Sequence, residues 1–175
     1  MMEAIAERDV IKFRIKPSIA SYIYEALLFC IELSDDQVVV YEDQDLVNLA
    51  KRDKAFYSHL LDKYVQCWED ADREAFDFET NLYGSEIFLS GIEMYLDSNK
   101  HNMTEKVRGK MDRFFNKYNR KKCQNQKMRI RRFQSFPYHI QSHIYFSLEY
   151  LLFEEMMQDY IEQHDLALTD YGMEG

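Results

Sequence analysis

Lys106, Arg113, Lys117, Arg120 and Lys121 recur at intervals of 7, 4, 3 and 1, which gathers five long cations on one strip of a helix. Arg129 and Arg131 follow in KMRIR, where they alternate with apolar residues and would share one face of a strand. Long cations spaced along a surface can neutralise successive phosphates and release their counterions. These seven residues are therefore the candidate nucleic-acid contacts.

They belong to a wider segregation of charge. Residues 106–132 hold 12 of the 22 lysines and arginines and a single acid, Asp112, while the rest of the chain has 10 basic residues against 30 acidic ones. The formal charge of −9 is thus a cationic segment set against an anionic remainder. Such a segment faces an acidic partner, docks on the acidic part of its own chain, or stands in water. The densest acidic run is Glu69, Asp70, Asp72, Glu74, Asp77 and Glu79. It reads as a solvated helix face and as the alternative interaction surface, either docking the basic strip or mimicking nucleic-acid charge.

Other chemistries lack their residues. Asp70, Asp72 and Glu74 fit positions 1, 3 and 5 of a calcium loop, but Ala75 replaces the glycine of position 6 and Asn81 the glutamate of position 12. His139 and His143 are four apart without H-E-x-x-H, and no E-x-x-H pair occurs, so no metal site is expected. His164-Asp165 lacks the companion His and Asp positions of a metal-dependent phosphohydrolase. No G-x-S-x-G is present, and isolated Gly84, Gly91 and Gly109 build no phosphate loop or dinucleotide fingerprint, so no cofactor is expected. An enzyme would need a pocket gathering His59, His139 or His143 with carboxylates from distant positions.

The elements that must position the cations follow from periodicity. VIKFRIK at 10–16 alternates as a strand, and Pro17-Ser18 opens a helix with the stripe Ile19, Ile23, Ala26, Leu27, Cys30 and Ile31. Ser34-Asp35-Asp36 is read as its end and 38–41 as a short strand. Asp43 or Asp45 caps a brief helix over 46–52, Asp53 caps a longer one, and Gly84-Ser85 is a break before the helical pattern Ile87 to Leu96. Thr104 and Glu105 open the basic helix, whose stripe is Val107, Met111, Phe114, Phe115 and Tyr118. A strand over 127–133 and a long final helix over 137–164 complete the series. KFRIK at 12–16 matches KMRIR at 127–131, and each precedes I-x-S-x-I-Y-x-x-L, so a strand–helix duplication would pair the two basic strands.

The expected fold is mainly α, five to seven helices with a small two- or three-stranded sheet, in a single α+β domain over 1–165. It comprises an acidic half (1–100), the basic segment 106–132 and the helix 137–164, with a tail over 166–175. At 175 residues, 46% hydrophobic and 15% aromatic, the chain can bury a core unaided. Residues 1–9 are charged with no apolar leader, the longest apolar run is 26–31, and three dispersed cysteines form no disulfide pattern. These features predict a cytoplasmic protein without a membrane segment. Small size, aromatic richness and opposed charges resemble the style of phage and mobile-element accessory proteins. The expected function is a non-enzymatic accessory or regulatory protein contacting nucleic acid or a nucleoprotein complex. The alternative is a protein-interaction module, inhibitor or homo-oligomeric scaffold that uses the acidic half.

Overall fold

The computed structural model describes residues 10–130, with side chains through residue 125. Four α-helices and one antiparallel strand pair make up this part: β1 (Val10–Ile15), α1 (Pro17–Val40), α2 (Gln44–Asp70), β2 (Phe76–Asn81), α3 (Leu82–Asn99) and α4 (Glu105–Ile130), with a 3-10 turn at Lys100–Asn102. The class is α+β and mainly helical. The expected helix over 137–164 and the tail lie outside the described residues.

Alternation in β1 buries Ile11, Phe13 and Ile15 and exposes Lys12 and Arg14. Its partner among the described residues is neither 38–41 nor 127–130 but β2, drawn from the supposed acidic helix face. Phe76, Phe78 and Thr80 of β2 are buried while Asp77 and Glu79 point to water. The register sets Phe13 opposite Phe78, Arg14 opposite Asp77 and Lys12 opposite Glu79. Lys12–Glu79 and Arg14–Asp77 both close at 3.3 Å. Exposed pairs of this kind contribute about 0–1 kcal/mol. Their larger effect is to disfavour a one-residue slip, which would also turn the apolar face of the shifted strand outward.

The two expected breaks in α1 and α2 are absorbed into the helices. Ser34 Oγ donates to the Cys30 carbonyl at 2.9 Å within α1, and Asp35 reaches Lys54 of α2 at 2.7 Å, so the polar triplet lies inside the helix instead of ending it. Val38 to Val40 form its last helical turn. Asp43 is the N-cap of α2, its carboxylate accepting from the Asp45 N–H at 2.9 Å, and the helix runs unbroken to Asp70, so the two expected helices are one. Asp53 falls in the interior of that helix. Between α2 and β2 the chain turns through Asp72 (φ 47°) and Arg73 (φ 69°), a left-handed conformation unfavourable for non-glycine residues.

No break separates β2 from α3. Asn81 Oδ1 accepts from the Gly84 N–H at 2.8 Å and Ser85 Oγ donates to the Leu82 carbonyl at 2.7 Å, so the expected Gly84-Ser85 break is the capped first turn of α3. Thr104 caps α4 as expected, its hydroxyl accepting from Val107 N–H at 3.3 Å. α4 then continues through KMRI to Ile130, which corrects the expected strand there as far as the described residues extend. The first copy of the internal match is β1–α1; the KMRI of the second is helical, so the two do not pair as basic strands.

Aromatic packing fixes these elements around β1. Phe13 lies 4.7 Å from the Phe88 ring of α3 and 4.8 Å from the Tyr118 ring of α4. Phe78 of β2 lies 4.9 Å from the Phe88 ring in a tilted contact and meets Tyr64 of α2 edge-on at 5.8 Å. The Tyr64 hydroxyl, buried with its ring, donates to the Ala20 carbonyl of α1 at 2.6 Å.

Candidate anion-binding cleft

α4 has the two-sided pattern its sequence implies. Met111, Phe114 and Tyr118 are buried, with Val107 and Phe115 packed partly against the core. At 100° per residue, Lys106, Lys110, Arg113, Lys117, Arg120 and Lys121 fall in one stripe beside that apolar face. The stripe runs about 22 Å along the helix at 1.5 Å per residue. Lys110, four residues after Lys106 and three before Arg113, was missed among the candidates although its spacing identifies it.

The apolar edge of α4 seats against β1. The Arg14 main-chain N–H donates to the Tyr118 phenolic oxygen at 2.7 Å, and the Phe13, Phe114 and Tyr118 rings form one cluster. This docking leaves a cleft of about 420 Å³ between α4 and the β1–α1 junction. Arg14 and Lys16 form one wall, Lys110, Arg113 and Lys117 the other. Ile19, Phe114 and Tyr118 supply apolar and ring surface, and Ser18 completes the lining. No acid lines it. Arg14 already pairs with Asp77, whereas Lys16, Lys110, Arg113 and Lys117 have no ion pair among the described residues. Lys117 and Lys121 lie 5.1 and 6.0 Å from the Tyr118 ring centroid, within cation–π range.

Of the seven expected contacts, Arg113 and Lys117 line this cleft. Lys106, Arg120 and Lys121 are exposed on the same stripe, flanking it. Arg129 lies in the last turn of α4, and Arg131 outside the described residues. Arg14 and Lys16 were legible only as the wet face of a strand; their convergence on α4 is a tertiary fact.

The acidic run is dispersed. Glu69 and Asp70 end α2, Asp72 and Glu74 occupy the turn, and Asp77 and Glu79 stand on β2 beside the cations of β1. The expected single helix face is therefore corrected. The basic strip does not dock there: among the described residues no ion pair joins α4 to the acidic run. No group of three or more His, Cys, Asp or Glu among the described residues is placed to hold a metal.

A smaller cavity of about 220 Å³ opens between α1, α2 and α3, where Cys30, Asp53, Tyr57, Tyr83 and Glu86 meet. Burial pushes the Cys30 thiol up to about 12 and raises Tyr57 and Asp53 above their ordinary ranges. A thiol so buried is not a nucleophile at neutral pH. His59, on α2, is lowered by burial first and by Lys63 second. His139 and His143 lie outside the described residues.

Comparison with protein-family models, curated proteins and solved structures returns no match. No helix among the described residues is long and apolar enough to cross a membrane.

Proposed function

We propose that this chain is a non-enzymatic accessory or regulatory protein, acting in the cytoplasm, that contacts nucleic acid or a nucleoprotein complex through α4 and the β1–α1 junction. The observation that carries the reading is the convergence of five cations from two separate elements on one cleft that no acid lines among the described residues. Four of the five have no ion pair among the described residues. A core-building role would not require this, because the apolar face of α4 already supplies the packing. Holding like charges together without compensation is unfavourable, and a polyanion removes that cost while releasing its own counterions.

The acidic half offers a weaker surface for the alternative protein-interaction role. Asp77 and Glu79 are engaged across the strand pair, and the other four acids are divided between a helix end and a turn. The accessory role is tested by Lys117→Glu with Arg120→Glu. Both side chains are exposed, so the circular-dichroism spectrum and melting temperature should be retained while binding to DNA and RNA is lost. Undiminished binding in this folded double variant would overturn the reading.

A further inference from the structure

The cleft has two cationic walls held at a fixed separation. The Arg14–Tyr118 hydrogen bond and the Phe13 ring contacts seat α4 against β1, so the Lys110–Lys117 stretch looks across at Arg14 and Lys16. A helix that reads duplex DNA in the major groove must enter a channel about 12 Å wide with groove walls on either side. Here the β1–α1 junction occupies one flank of α4. The space between is about 420 Å³, the size of a small-molecule site and far too small for a duplex. An unpaired strand is thin enough to be gripped from both sides.

Resting on the nucleic-acid reading above, we propose that the ligand is a single unpaired strand that lies along α4 and passes through the cleft. Lys106 marks one end of its track, and Arg120 with Lys121 the other. Between them the backbone runs over Lys110, Arg113 and Lys117, with phosphates neutralised from the opposite wall by Arg14 and Lys16. Ile19 and the edge of Phe114 offer apolar contact to a sugar or base. Among the described residues, Ser18 is the one lining residue with a neutral hydrogen-bonding side chain apart from the Tyr118 phenol, which already accepts from Arg14. The lining therefore has little with which to distinguish bases, and binding is largely independent of sequence. Phe114 and Tyr118 are 7% and 3% exposed, so they give no broad stacking platform. Electrostatics dominates, and the complex is correspondingly sensitive to salt.

Lys16→Glu separates the two-walled cleft from binding along α4 alone. Lys16 is exposed, makes no side-chain cap to α1, and precedes a helix N-terminus where an acidic residue is favourable, so the variant should fold. The experiment is a fluorescence-anisotropy titration with labelled oligo(dT) and oligo(U) of about 15 nucleotides, and with a mixed-sequence duplex of equal length. The single strands are expected to bind at least about tenfold tighter than the duplex, and Lys16→Glu to weaken them about tenfold. Equal or tighter duplex binding, or single-strand binding unchanged by Lys16→Glu, would overturn the proposal. If Lys117→Glu/Arg120→Glu still abolished that binding, the nucleic-acid reading would stand without it. Binding to none of the probes would remove both.

Discussion

The main-chain N–H of Arg14 donates to the phenolic oxygen of Tyr118 at 2.7 Å, across 104 residues of sequence. In β1 that N–H faces away from the β2 partner strand, so at this point the other edge of β1 is met by a side chain of α4. The same bond fixes α4 against the wall that carries Arg14 and Lys16. Fold and cleft thus share this contact.

Removing the acceptor tests that dependence. Tyr118→Phe keeps the ring packing on Phe13 and Phe114 but leaves the partly buried Arg14 N–H without its partner. A loss of about 1–3 kcal/mol is expected, read as a lower urea midpoint with an unchanged m-value. Stability within error of the parent protein would show that the bond does not hold α4 in place.

Gly91 lies where α1, α2 and α3 pack closely. A Cβ there would stand 2.8 Å from Tyr57 Cε1 and 3.2 Å from Cys30 Sγ, and both neighbours are buried. Gly91→Ala gains at most about 1 kcal/mol of helix propensity. Overpacking costs about 1–3 kcal/mol. Net destabilisation is expected in chemical unfolding; a stabilised variant would mean that Tyr57 moves aside freely.

Asp53 gives a pH signature. Burial raises its pKa, with Arg52 opposing the shift, so the folded protein takes up the proton at higher pH than the unfolded chain. Its protonation therefore stabilises the fold below the unfolded carboxyl range, and this contribution is lost as pH rises through the folded value. Asp53→Asn, permanently neutral, should melt higher than the parent at pH 7, with the gap closing toward about pH 4. His59, whose pKa is lowered, destabilises both proteins in acid alike and cancels in the difference. A gap that is constant with pH would contradict the assignment.

Much of this arrangement was legible in local patterns. The alternation of β1, the stripe of α1, the Thr104 cap and the two faces of α4 all follow from spacing. β2 was hidden because the acids of FDFETN drew attention from its alternating Phe76, Phe78 and Thr80, whose pairing with β1 is a long-range contact. Val38 to Val40 and KMRI have strand-like composition, yet each continues a helix already under way. No Gly or Pro intervenes between Gly109 and Pro137 to stop α4. One wall of the cleft could be read from the sequence and the other could not, because only tertiary packing brings Arg14 and Lys16 beside α4.

The most direct test of the central claim is the salt dependence of single-strand binding by the unmodified protein. Three to five phosphate contacts predict a straight line of log affinity against log salt with a slope of about −2 to −4. No binding at about 50 mM salt, or an affinity indifferent to salt, would contradict the proposed phosphate-contacting surface.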